Sequence, residues 1–198
     1  MSLTLTRALA AASIVALALA GCGRSDDSRN EATNNAAAAT AEAPGGTLAA
    51  ALDGNGELDT LHDLARNAGL DDVLGGVGPY TLFAPNDAAF ETLGGERVEA
   101  LKGEAMRPQA IALLRGHIVP GLVTRRDLDA ALSRDSANPV RMRTMSGGTL
   151  TFAREGDAIT VTAEGGARAR LAGDETTASN GAIHPVDALL MPTAAPPE

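Results

Sequence analysis

From Thr47 onward the apolar residues fall first at helical spacing and later at strand spacing. In ELDTLHDLARNAGL, residues Leu58, Leu61, Leu64, Ala65 and Ala68 share one face, which predicts a helix stopped by Gly69 at its C′ position. Asp71 and Asp72 open a further helical turn. Tyr80-Thr81-Leu82-Phe83 alternates as a half-buried strand does, and Pro85 ends it. Asn86 then suits the N-cap of a new helix, with Asp87 and Glu91 near its positive end and Phe90 facing inward with Leu93. RPQAIALLRG continues as a helix with Pro108 in its first turn. HIVPG, residues 117–121, reads as a short strand closed by a Pro-Gly turn. Thr124-Arg125-Arg126-Asp127 has the form of a capping box and opens a helix through Leu128 and Leu132.

After Pro139 the period changes to two. VRMRTM, TLTFA, ITVTA and ARARLA are separated by Ser146-Gly147-Gly148, Glu155-Gly156-Asp157 and Glu164-Gly165-Gly166, the spacing of a β-meander. ARLAGDETTASNG reads as a long polar loop, and such loops often carry partner contacts. ASNGAIHPVDALLMP supplies a last apolar strand. Helices first and antiparallel strands later give the α+β class.

The opening of the chain follows a different rule. MSLTLTRALAAASIVALALAGCG has one basic residue, Arg7, then an apolar run from Ala8 to Ala20 that ends in small residues. The run is too short to span a bilayer comfortably and has the form of a cleavable export signal over residues 1–21. Leu19-Ala20-Gly21-Cys22 resembles the bacterial lipobox, whose Cys receives the lipid, and Cys22 is the only cysteine of the chain. The remainder of residues 22–46 lacks any large apolar side chain, so it cannot bury enough surface to offset the entropy of ordering and reads as a flexible tether. Two or more acyl chains on Cys22 would anchor the protein stably in a membrane. Gly23 stands where an inner-membrane retention signal usually places Asp. By resemblance to lipoproteins of two-membrane bacteria, the expected location is the cell envelope, on the outer membrane facing the periplasm or the cell surface.

Composition narrows the function. The 198 residues are 44% hydrophobic, which suits one globular domain plus extras. A net charge of −9, no Trp and a single Tyr argue against nucleic acid, which asks for a basic surface and stacking rings. The one Tyr and two of the three Phe sit together in YTLFAPNDAAF, residues 80–90. A nucleophile elbow would need Gly-x-Ser-x-Gly at this strand–helix corner, and Pro85-Asn86 stands there instead. Phe83 and Phe90 therefore read as core anchors and Asn86 and Asp87 as corner caps, with a peptide- or glycan-binding edge as the alternative. His62, His117 and His184 lie far apart with no His-x-x-x-His pair, so no metal or other cofactor is expected. His117 reads as a buried, hydrogen-bonded histidine, and His184 and Asp187 as pointing to opposite faces of a strand.

Three segments together resemble the fasciclin (FAS1) family. Thr81-Leu82-Phe83-Ala84-Pro85-Asn86-Asp87-Ala88-Ala89-Phe90 resembles its first signature, and Asn180-Gly181-Ala182-Ile183-His184-Pro185-Val186-Asp187 with the following Ala-Leu-Leu-Met-Pro resembles its second. Leu113-Leu114-Arg115-Gly116-His117-Ile118-Val119-Pro120-Gly121 looks like the central tyrosine–histidine segment, with Gly116 in the place of the usual Tyr. Pro185 stands where the family commonly has Val or Ile; it removes one ladder donor and predicts an edge or bulge there. The resemblance covers residues 47–193 and leaves 194–198 as a tail. It implies a single FAS1-like domain, a β-sandwich-like core of short antiparallel strands with helices packed against it. It also implies a non-catalytic binding or adhesion module that meets a cell-surface protein, matrix or polysaccharide. An envelope enzyme of hydrolase type with an unrecognised site is the alternative.

Overall fold

The computed structural model describes residues 46–134 and 138–191. The expectations for the export signal, Cys22, the tether up to residue 45 and the tail 194–198 lie outside the described residues.

Helices dominate the first half: α1 (Leu48–Asp53), α2 (Asp59–Ala68), α3 (Asp71–Leu74), α4 (Asp87–Glu91), α5 (Gly95–Lys102), α6 (Arg107–His117) and α7 (Arg125–Arg134). The α2 stripe Leu61, Leu64, Ala65 and Ala68 is buried, and Gly69 ends the helix in the left-handed conformation at φ 70°. The Thr124–Asp127 capping box forms, with the Thr124 hydroxyl donating to the Asp127 carboxylate at 2.7 Å and accepting the Asp127 N–H at 3.1 Å. The strands are β1 (Tyr80–Pro85), β2 (Ile118–Pro120), β3 (Val140–Arg143), β4 (Thr149–Glu155), β5 (Ala158–Ala163), β6 (Arg168–Arg170), β7 (Thr176–Ala178) and β8 (Gly181–Val186). They form two four-stranded sheets. The first has the order β2-β1-β8-β7, and the second is the expected meander β3-β4-β5-β6.

Sheet β2-β1-β8-β7 lies between two cores. On one side Leu82, Ala84 and Ile183 join Leu52, Leu61, Leu64 and Leu114 of the helices. On the other, Phe83, Val119 and Val186 join Phe152, Val161 and Leu128. The class is α+β, one domain with α1 to α6 on one face of a two-sheet stack and α7 packed at the inter-sheet core.

Four expectations are corrected. β1 is not half-buried: from Thr81 to Pro85 every residue is buried, because helices cover one face and the second sheet the other. Alternation in such a strand separates two cores instead of core from water. β1 pairs in parallel with β8, Tyr80 opposite Gly181 through Pro85 opposite Val186, although about a hundred residues separate them. The polar stretch before β8 is not a simple loop, since Thr176–Ala178 forms β7 against Gly181–Ile183. His117 is the last residue of α6 and not the first of β2.

Pro185 lies inside this sheet without disrupting it. β7 pairs no further than Ile183, and beyond it the Pro185 carbonyl accepts the N–H of Ala172 at 2.8 Å. The N–H and C=O of a strand residue point to the same side, so the missing donor faces this sparse flank and not β1. At the other end of β8, a Cβ on Gly181 would come within 2.0 Å of the Tyr80 carbonyl oxygen, so only glycine lets the two strands meet.

Candidate functional site

The corner after β1 is built from caps. The Asn86 side chain accepts the N–H of Ala89 at 2.9 Å and starts α4, as expected for an N-cap. Asp87 reaches elsewhere, because its carboxylate accepts the N–H of Thr60 in the first turn of α2. Pro85 is buried in register with Val186, and the Asn86 N–H donates to the Val186 carbonyl at 3.0 Å. Phe90 and Phe83 are both fully buried but serve different cores: Phe90 the helical one, Phe83 the inter-sheet one. The Phe83 ring lies 4.8 Å from that of Phe152 and stacks on His184 at 5.3 Å.

Thr81 and His184 converge on one loop, and Phe83 stacks behind His184. The Thr81 hydroxyl donates to the Gly121 carbonyl and accepts the Val123 N–H, both at 2.8 Å. The His184 Nε2–H donates to the Val123 carbonyl at 2.8 Å, so two signature side chains hold Val123 from both of its backbone groups. His184 Nδ1 has no hydrogen-bond partner and lies 3.7 Å from a carboxylate oxygen of Glu175. That Glu175 oxygen accepts the N–H of Arg125 at the start of α7. Burial pushes the His184 pKa down; the Val123 carbonyl and Glu175 oppose this, and Arg125 adds to it.

His117 is wholly buried. Its Nε2 accepts the Leu190 N–H at 3.0 Å, which leaves the proton on Nδ1 to donate to the Leu113 carbonyl at 2.8 Å. Both ring nitrogens are satisfied in the neutral form, and burial pushes the pKa down to about 4. Asn180 makes three bonds: its carbonyl accepts the Leu48 N–H, and its amide donates to the carbonyls of Leu74 and Gly76. It thereby joins α1, α3 and the hairpin between β7 and β8. Asp187 sits apart, just past the end of β8, where its carboxylate accepts the N–H of Arg170 in β6 at 2.7 Å and its own N–H donates to the Arg170 carbonyl.

The ten motif residues thus gather at five places and not at one site. Thr81 and His184 hold Val123, with Phe83 stacked on His184; Pro85, Asn86, Asp87 and Phe90 make the corner; Asn180 ties the far end of β8; His117 and Asp187 each brace a separate backbone. Reading the sequence missed Glu175, whose only signal was one carboxylate in a polar stretch. It also missed the use of Asp87 on α2, because a cap from a distant segment leaves no local pattern. Among the described residues no three His, Cys, Asp or Glu side chains cluster as metal ligands, and no helix is long and apolar enough to cross a membrane.

Fold and motif together define a class: an α+β domain whose signature side chains brace a two-sheet framework. The fasciclin domain family model matches residues 56–192, and the chain belongs to that family. It is 27% identical over 146 residues to Protein sll1483 of Synechocystis sp., covering 74% of this chain and 73% of that protein. It is 31% identical over 138 residues to transforming growth factor-beta-induced protein ig-h3 of Sus scrofa, covering 69% of this chain but 18% of that one. Among solved structures it is similar to a FAS1 domain pair from the insect cell adhesion molecule fasciclin I. That match has a TM-score of 0.64 at 17% identity and covers 75% of this chain and 51% of the other.

Proposed function

We propose that the protein is a non-catalytic binding or adhesion module, held in the bacterial envelope by lipid on Cys22 and displaying its domain to a cell-surface protein or polysaccharide. The observation that carries this reading is the inward use of the motif. Thr81, His117, Asn180 and His184 are the polar groups a reaction would recruit, and all four are buried, binding backbone groups of their own chain. The surface is left for recognition. Val77 and Leu122, the two large apolar side chains that stand exposed among the described residues, lie on loops joined by the Gly121 N–H and the Pro79 carbonyl. The similarity to a FAS1 domain pair from an insect cell adhesion molecule supports the same reading. The outer membrane is the location that Gly23 after Cys22 favours.

Two measurements test it together. Intact mass of the membrane-extracted chain should show loss of residues 1–21 and added acyl mass on Cys22, and Cys22→Ser should release the protein from membranes. Beads coated with the chain should then adhere to isolated cell envelopes above a coating of serum albumin. An unmodified chain, or beads that adhere no better than the control, defeats the proposal.

A further inference from the structure

The second sheet buries one face in the inter-sheet core, and the other is part-exposed, with its arginines exposed and Thr160 buried. Residues directly opposite each other in an antiparallel pair share a face, so the register of β3 to β6 lists the members of each face. Leu150, Phe152, Val161 and Ala169 fill the inter-sheet core. On the other face Arg141, Thr151, Thr162 and Arg168 stand in one row across all four strands. Arg143 and Thr149 form a row on one side of it, and Ala153, Thr160 and Arg170 a row on the other. We infer that this outward face binds an extended acidic polysaccharide of the uronate class. The inference rests on the binding-module reading above and names its ligand and its surface.

Charge makes the first argument. The chain carries a net charge of −9, yet four exposed arginines meet on this one face. Arg168 pairs with Glu155, and Arg143 reaches the Gly147 carbonyl. Glu164 at the rim accepts the Thr149 N–H, and the Asp187 carboxylate accepts the Arg170 N–H. The guanidinium groups of Arg141 and Arg170 have no ion-pair partner among the described residues. A free guanidinium fork matches a carboxylate in two parallel hydrogen bonds, which an ammonium cannot do.

Shape and hydroxyl chemistry make the second. Arg141 and Arg168 stand three strand spacings apart, about 14 Å, too far for one small anion and suited to acid groups on separate residues of a polymer. Between them the hydroxyls of Thr151 and Thr162 can donate and accept, as sugar hydroxyls require. Arg168 and Arg170 line a concavity of about 370 Å³ together with Glu155, Asp187 and the buried Thr160. No aromatic ring belongs to these rows, so the face lacks the stacking platform for nucleotides and offers charge and hydroxyls instead.

Polygalacturonate is the probe, with dextran as the neutral control. Calorimetric titration of the full chain should show saturable binding of polygalacturonate that weakens as salt rises, and none of dextran. Arg141→Gln with Arg170→Gln should lower the affinity at least tenfold, whereas Arg66→Gln with Arg107→Gln, the same charge loss on the helical side, should change it less than twofold. Thr151→Val with Thr162→Val, which keeps the strand shape, should lower it several-fold. Circular dichroism melts check that each pair of changes leaves the fold intact. No binding of polygalacturonate, equal losses from both arginine pairs, or a valine pair that binds like the parent would each overturn the inference. Membrane anchoring and bead adhesion would stand in all three cases, so the wider reading is tested separately.

Discussion

Asp87 caps a helix to which it does not belong: its Oδ1 accepts the backbone N–H of Thr60 at 2.9 Å. α2 starts after Leu58, which offers no side-chain cap, and Asp87 in α4 supplies what is missing. The Asp87 N–H in turn donates to the Glu57 carbonyl at 2.9 Å. The corner after β1 is thus fastened both to its own helix and to the one packed beside it.

Asp87→Ala should therefore cost about 0.5–2 kcal/mol, the range for a lost N-cap, and the damage should appear in α2. Urea melts give the size. Hydrogen exchange gives the place: faster exchange at Thr60 with α4 unchanged is expected, and the reverse would show that Asp87 acts only within α4. Asn86→Ala should cost a similar amount with the opposite pattern.

Phe83→Ala and Phe90→Ala should each cost about 3–5 kcal/mol, the usual loss for a buried aromatic, and leave the domain marginal or unfolded. Because the two rings sit in different cores, near-UV and exchange signatures should differ between the variants while the cost is alike. Variants that melt within about 1 kcal/mol of the parent would remove the anchor role.

Buried neutral histidine sets a pH dependence with a definite sign. His117 has an ordinary value of 6.5 and a folded value of about 4, so between these the unfolded chain binds a proton that the folded chain refuses. Its contribution is complete above pH 6.5 and declines as pH falls toward 4, by an amount of order 3 kcal/mol at about 1.4 kcal/mol per pH unit. His184, also shifted down, acts with the same sign. Urea stability measured from pH 7 to pH 5 should fall while the His117 ring signal stays neutral. A ring that titrates near its ordinary value with stability flat over that range would contradict the argument.

Two glycines should respond in opposite directions. Gly116 sits in α6, and an added Cβ would meet only the Ser146 hydroxyl at 3.8 Å. Gly116→Ala should stabilise by about 0.4–1 kcal/mol by reducing the freedom of the unfolded chain. Gly181→Ala would drive a methyl into the Tyr80 carbonyl and should exceed about 4 kcal/mol, beyond most single substitutions. Thermal melts of the two variants on either side of the parent are the check.

Local rules were legible and distant pairings were not. The α2 stripe, the Gly69 stop, the Thr124–Asp127 box and the glycine turns of the meander all rest on contacts within a few residues, and all appear. The parallel match of Tyr80–Pro85 with Gly181–Val186 leaves no local trace, and the burial of β1 on both faces follows from it. The same limit hid Asp87 on Thr60 and Glu175 beside His184. β7 was hidden for another reason: Thr176-Thr177-Ala178 is too short and polar to show a period.

The place of β8 in the middle of its sheet governs when the protein can fold. A nascent chain that stops before Val186 has no partner for the full length of β1, and both cores lack one wall. The helices are synthesised earlier, but the sheet they pack against is incomplete until the closing strand arrives, so completion is gated by the C-terminal signature. If lipid is attached at Cys22 after export, as proposed, such late closure keeps the chain threadable during translocation. Within the domain, the strand that emerges last is then the one that locks it, on the far side of the membrane.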